Sequence, residues 1–358
     1  MGVGAVHARR ARAFGLPSSR AIARFSIVTL QFATLAIGGI SHAADALIVI
    51  SGPTMGTTYT VKLHGAEADR DQLQVAIDTV LERINDSMST WRADSELSRF
   101  NKSKSTDWFP VSAELTRVVA AAEKISNASD GAFDVTVGPL VNLWGFGPEG
   151  RAAAPPSEQQ IENIMPLVGY RKLAVSTIPP ALRKQHPGMY VDLSGIAKGY
   201  AVDAIAQLLD ERKVRAYLVE IGGELRARGA RNDGTPWRIA IERPVPGTRN
   251  AQSIVALRDS AIATSGDYRN YVERDGQRYT HTIDPRSGRP ITNVLASVSV
   301  VTDTAMRADA FATAIMVLGP EEGYALAVRE ALAAQLVVKA GGGFEVRATP
   351  KFEALLLR

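Results

Sequence analysis

Ser297-Val-Ser-Val-Val301, then Ala305-Met-Arg-Ala-Asp-Ala-Phe-Ala-Thr-Ala-Ile-Met-Val-Leu318, then Gly319-Pro320, is the stretch on which the fold class turns. The first run is short and β-branched and reads as a strand. The second is small or apolar on nearly every side and reads as a buried helix, stopped by the Gly-Pro pair. A second helix, Glu321 to Ala333, precedes the next strand, Gln335 to Lys339. Near the start, Leu47–Ile50 and Thr58–Leu63 read as two strands, and Asp71 to Ile84 has helical apolar spacing. Ala113–Ile125 is another expected helix, and Leu218–Ile221 and Trp237–Glu242 are expected strands. Strands and helices do not alternate regularly, which predicts an α+β fold over a doubly wound sheet.

The 358 residues suffice for one large core or two fused smaller ones, and the composition is that of a globular protein. The net charge of +4 is concentrated at the start. Residues 1–43 hold Arg9, Arg10, Arg12, Arg20 and Arg24 and no Asp, Glu or Lys, which leaves the remainder close to neutral. The basic balance therefore belongs to the leader and gives no nucleic-acid footprint. An apolar run from Phe25 to Ile40 and the small residues of Ser41-His-Ala-Ala44 follow the arginines, the pattern of an export signal cleaved after Ala43. The run is interrupted by Thr29, Gln31, Thr34, Gly38 and Gly39, and is shorter than the roughly 20 residues of a spanning helix. The expectation is a leader over 1–43 and one domain over 44–358, exported, periplasmic and not membrane-spanning after processing. With no cysteine there is no disulfide, lipid-anchored cysteine or thiolate metal site.

Several segments can carry chemistry. Asp192-Leu-Ser-Gly-Ile-Ala-Lys-Gly-Tyr200 places a carboxylate, a glycine turn and Lys198 ahead of a helix running to Leu209, and reads as an anion-binding turn or an ordinary strand-to-helix connection. Asp309 and Thr313, four apart on the buried helix, share a face. A buried carboxylate must be paired or metal-bound. Its oxygen chemistry suits Mg²⁺, and the alternative is an arginine partner, with Thr313 bonded to its own helix. Thr280-His-Thr-Ile-Asp284 reads as a strand entering a turn, with His281 a candidate general base or a solvent-facing histidine. Gly52 to Thr58 and Ile221-Gly-Gly-Glu224 are turns, the latter allowing a close backbone approach. Gly131 to Pro139 reads as a turn and a strand, and Ser176 to Gly188 as a proline-bearing stretch between two strands. Gly145-Phe-Gly-Pro-Glu-Gly150 matches the dinucleotide pattern, but the prolines that follow at 155 and 156 spoil the helix it needs.

Taken together and in order, Thr54-Met-Gly-Thr, Met88 to Asn101, Phe133-Asp-Val-Thr-Val-Gly-Pro-Leu-Val, Val191 to Asp203, Ile221-Gly-Gly-Glu, His281-Thr-Ile-Asp-Pro-Arg-Ser-Gly and Ala308-Asp-Ala-Phe-Ala-Thr-Ala resemble the ApbE family of FAD:protein FMN transferases. The resemblance implies a T-fold-like, two-lobed α+β architecture with mostly antiparallel sheets, flanking helices and FAD in a cleft. It implies Mg²⁺-dependent transfer of FMN from FAD to a threonine or serine of an acceptor protein, with release of AMP. The implied acceptor carries Asp-x-x-Ser/Thr-Gly-Ala-Ser/Thr, as in membrane redox subunits. Carried over by position, Met55, Trp91, Ala132, Phe133, Asp134, Asp192, Lys198 and Ile283 would contact FAD, and the Gly195 carbonyl, Asp309 and Thr313 would hold the metal. His281 is the candidate base for the acceptor hydroxyl, with Asp284 as its substitute. Trp91 stands where many members have tyrosine, and Ala312 where some have a third metal-site carboxylate. The competing expectations are an FAD pyrophosphatase giving FMN and AMP, and a non-catalytic exported FAD-binding protein.

Overall fold

The computed structural model describes residues 47–64, 69–150, 154–245, 250–266, 271–274 and 277–357. The expected leader lies outside them. Its centre is an eight-stranded sheet: β1 (Ile48–Thr54), β2 (Thr57–His64), β3 (Ala216–Ile221), β4 (Glu224–Arg228), β5 (Ser260–Gly266), β6 (Leu295–Thr302), β7 (Ala333–Ala340) and β8 (Gly343–Ala348). Spatial order follows chain order and every neighbouring pair is antiparallel. The sheet is thus a meander whose connections hold the other helices and strands up to the chain end, where a short helix, Pro350–Glu353, follows β8. The antiparallel α+β class expected from the sequence is what the chain adopts.

Helices cover one face: α1 (Arg70–Met88), α2 (Ala113–Ala128), α3 (Ala197–Glu211), α4 (Ala305–Leu318) and α5 (Pro320–Arg329), of which α2 packs on α1 and α4 and not on the sheet itself. In α1, Asp69 accepts from the backbone of Asp71 and Gln72, and Leu73, Ile77, Leu81, Ile84 and Met88 form the buried stripe. The α4 helix is buried almost throughout and ends at Gly319, whose φ of 83° no β-branched residue would tolerate. The opposite face carries the hairpin Trp237–Glu242/Ala251–Leu257, where Trp237, Ile239 and Ile241 pack with Leu218, Ile262 and Phe352 in a second apolar cluster.

Two local expectations are corrected. Val135–Val137 is a 3₁₀ turn leading into a helix at Gly138–Leu143, not a strand. The Asp134 side chain caps that turn and Pro139 suits a first helical turn, signals that outweigh the β-branched valines. Ser176–Gly188 contains a strand of its own, Pro180–Lys184, in the middle of a three-stranded sheet between Phe109–Pro110 and Leu173–Thr177. Proline is compatible with the first position of a strand, and Pro180 stands there.

Candidate active site

The sheet opens where β4 and β5 part. Ser260 to Ile262 pair with β4, but Ala263 to Gly266 continue on β6 alone. A cleft of about 1160 Å³ runs along this opening. Its lining includes the Gly222–Glu224 turn, the end of β5, the start of α3, the middle of α4 and the loops at 132–137, 192–195 and 281–285.

Asp309 sits at the bottom, 3% exposed. Its Oδ2 accepts a 3.1 Å hydrogen bond from the Gly199 N–H, one of the donors that the first turn of α3 leaves without a helical partner. The close helix contact depends on Gly199, because a Cβ there would lie 2.3 Å from the Ala305 carbonyl oxygen. Asp203, one turn further along α3, fixes the same contact. It accepts from the Ala305 and Met306 N–H groups at 2.9 Å each and pairs with Arg226 at 2.6 Å. The helix that carries Lys198 therefore caps the helix that carries Asp309.

Lys198 donates to Glu224 Oε1 at 2.8 Å. Burial opposes its charge, but Asp309 and Glu224 more than offset this and hold its pKa above the ordinary lysine value. Burial raises the Asp309 pKa, with Lys198 and the Gly199 N–H pulling the other way. Burial raises that of Glu224 as well, reinforced by Asp309 and opposed by Lys198. Glu224 is 4% exposed, and its Oε2 has no partner among the described residues. Two carboxylates thus share one ammonium, a charge balance suited to receiving a further cation or hydrogen-bond donor.

Thr313 lies one turn beyond Asp309, with its Oγ1 3.3 Å from Ser265 Oγ. Gly195 packs directly against it, since a Cβ at 195 would meet Thr313 Oγ1 at 3.3 Å and Phe133 Cε2 at 3.2 Å. The residues expected to hold a metal are therefore brought together. Their donors are oxygen atoms, which fits a hard cation that retains water. Among the described residues no group of three or more His, Cys, Asp or Glu side chains is arranged to hold a metal ion. Ala312 is fully buried and adds no donor. Asp309 takes the Gly199 N–H and the charge of Lys198 in place of an arginine partner.

Of the remaining expected residues, Trp91, Ala132, Phe133, Asp134, Asp192, Lys198, His281 and Ile283 all line the cleft. Trp91 is 70% exposed at its rim, and Arg92 beside it is anchored to Glu82 and Asp86. Asp192 accepts from the Ser194 N–H at 2.7 Å, while its own N–H donates to the Val135 carbonyl at 2.7 Å and joins two cleft loops. Asp134 is largely committed to structure, accepting from the Thr136 N–H and hydroxyl and from the Tyr170 N–H, each at 2.7 Å. Two residues stand apart. Met55 forms the β1–β2 turn with φ 47° and packs on the main core, and its neighbours Thr57 and Thr58 reach the cleft instead. Asp284 is not among the lining residues, and its carboxylate receives the Arg286 Nε and Nη2 donors at 3.0 Å each. Sequence reasoning missed Glu224, Ser265 and Asp203 as members of the site. The signal for Glu224 was present: a buried lysine needs a counter-charge, and an acid ended the adjacent Gly-Gly turn.

The model of the ApbE family matches residues 55–336. The FAD:protein FMN transferase of Vibrio cholerae is 46% identical over 324 residues, covering 90% of this chain and 96% of that protein. That of Escherichia coli K12 is 41% identical over 320 residues, covering 88% and 91%. Among solved structures, the flavin transferase ApbE from Vibrio cholerae aligns with a TM-score of 0.81 at 46% identity, over 87% of this chain and 99% of that one. The Pseudomonas stutzeri flavinyl transferase ApbE in its apo form also gives 0.81, at 44% identity over 87% and 97%. The match spans both the meander and the segments that build the cleft, and the chain belongs to the ApbE family.

Proposed function

We propose that this chain transfers FMN from FAD to a threonine or serine hydroxyl of an acceptor protein and releases AMP. The observation that carries the reading is the buried Asp309 carboxylate at the bottom of a large cleft, with Thr313, Gly195 and Lys198 beside it. The names of the relatives support the same chemistry. Asp309, the Thr313 hydroxyl and the Gly195 carbonyl would hold Mg²⁺. Bound there, the ion supplies Lewis-acid polarisation of the pyrophosphate.

The chain's own residues do the positioning on which phosphoryl transfer depends. Trp91 and Phe133 present aromatic surface to the flavin, and Lys198, held by Glu224, sets positive charge against the phosphates. The acceptor oxygen bonds to the phosphorus of the FMN half while the bond from that phosphorus to the AMP oxygen breaks. AMP leaves with that oxygen, and His281, which lines the cleft, takes the hydroxyl proton. The pairing of Asp284 with Arg286 favours His281 for this role. An acceptor bearing Asp-x-x-Ser/Thr-Gly-Ala-Ser/Thr on a membrane redox subunit, export through residues 1–43 and a periplasmic location belong to the same proposal. Among the described residues no helix is long and apolar enough to cross a membrane.

The test is a mass balance. With FAD, Mg²⁺ and acceptor peptide, AMP should equal peptide-bound FMN, and His281→Ala should suppress both at neutral pH. AMP matched instead by free FMN would make the chain a hydrolase, and intact bound FAD would make it a carrier. Full peptide labelling by His281→Ala would remove the histidine from the mechanism.

A further inference from the structure

A protein acceptor must reach the cleft, and one strand along it has, at Arg238 and Ala240, an edge with no strand beside it among the described residues. Trp237–Glu242 pairs on one side with Ala251–Leu257. That second strand is covered in turn by the chain end, where Ala256 N–H donates to Leu355 O at 2.9 Å and Leu357 N–H to Ile254 O at 2.8 Å. In an antiparallel pair, residues whose backbone groups point away from the shared ladder stand opposite one another. Ala256 and Ile254 point away from it, so their partners Arg238 and Ala240 turn their own N–H and C=O groups to the far edge. No strand among the described residues occupies that edge.

The edge adjoins the site. Trp237, Ile239 and Ile241 are buried against the sheet, whereas Arg238 and Ala240 face outward. Residues 239–242 line the same cleft as Asp309. Ile262, in the cluster with Ile239, is three residues along β5 from Ser265, roughly 10 Å at ~3.3 Å per residue. Ser265 meets Thr313. An edge with unpaired backbone groups is a ready template for another chain, and Arg238 is the one charged side chain on it before the register shift at Ile241/Glu242.

We propose that an extended segment of the acceptor protein adds as a strand to the Trp237–Glu242 edge, pairing with Arg238 and Ala240, and so carries its hydroxyl residue into the cleft. The proposal rests on the reading of the chain as a protein-acceptor transferase. Recognition through the main chain gives affinity from backbone hydrogen bonds and limits side-chain demands to residues near the transferred group.

The test compares Arg238→Pro with Arg238→Ala, using the full chain, FAD, Mg²⁺ and a peptide bearing Asp-x-x-Thr-Gly-Ala-Thr. Arg238→Ala keeps the outward N–H, and Arg238→Pro removes it at an edge position where proline is tolerated. The peptide KM should be about 5- to 10-fold higher in Arg238→Pro, the scale of one hydrogen bond, with the KM for FAD and kcat equal in the two variants. Independently, N-methylation of successive peptide nitrogens should raise KM with the wild-type chain at every second position. Equal peptide KM values, or N-methyl effects without alternation, overturn strand addition and leave the transferase reading standing. A dimer dissolved by Arg238→Pro with an unaltered peptide KM assigns the edge to a second copy and also overturns the proposal. Absence of any FMN on the peptide with the wild-type chain, while a control transferase modifies it, overturns both.

Discussion

Gly199→Ala sets helix propensity against packing, and the structure says which wins. Alanine is favoured over glycine inside a helix by about 1 kcal/mol. At this position the new Cβ would lie 2.3 Å from the Ala305 oxygen, 2.6 Å from its carbonyl carbon and 2.7 Å from the Met306 Cα. All three are backbone atoms, which no rotamer change can move aside. Overpacking of this kind costs about 1–3 kcal/mol. Parting α3 from α4 also stretches the Gly199 N–H bond to Asp309, and a hydrogen bond to a charged group contributes about 1.5–3 kcal/mol. The net expectation is a loss of roughly 1.5–5 kcal/mol. Denaturant unfolding at constant slope measures it, and FMN transfer should fall in the same variant as Asp309 and Lys198 separate. A Gly199→Ala protein as stable as wild type, or more so, would refute the claim that this contact sets the geometry of the site.

Trp91→Ala should change stability by less than about 0.5 kcal/mol, because the ring is 70% exposed, yet weaken FAD binding about 3- to 10-fold if the ring stacks on the flavin; equilibrium binding followed by flavin fluorescence decides. Lys184 is buried, donates to the carbonyls of Phe100, Asn101 and Met189, and has its pKa pushed down to about 8 by burial and by Lys104. The folded state therefore sheds this proton before the unfolded state does. Its contribution makes stability rise with pH from about 8 towards the ordinary value of 10.5. Comparing unfolding free energies across that window, Lys184→Met should flatten the rise, and an unchanged slope would contradict the assignment. Asp203→Ala should cost about 1–3 kcal/mol in denaturant unfolding, since the Ala305 and Met306 N–H groups at the start of α4 lose their acceptor and the partly exposed Arg226 loses its partner; a cost under about 0.5 kcal/mol would show that these bonds are dispensable.

Much of the fold was legible because buried periodicity is a local signal. The α4 helix was readable to the residue from its small apolar run and Gly-Pro stop, and its burial made Asp309 conspicuous. The sequential order of the meander was not readable, since nothing in β2 or β3 says that they pair across the 151 residues between them. Phe133–Pro139 misled because valines suggest a strand, whereas Asp134 and Pro139 act through capping and φ. At the site, Asp192, Gly195, Lys198, Asp309 and Thr313 announced themselves through burial, turns and helix spacing. Glu224 and Ser265 did not, because their roles arise only where β4 and β5 separate. Met55 and Asp284 illustrate the converse, as residues within matching motifs whose side chains the fold turns to packing and to Arg286.

The most direct test of the central claim is the mass of a peptide bearing Asp-x-x-Thr-Gly-Ala-Thr after incubation with the chain, FAD and Mg²⁺. A gain of one FMN moiety that requires Mg²⁺ and is lost in Asp309→Ala is the predicted result. An unmodified peptide, in a reaction where a control transferase labels the same peptide, would contradict the account.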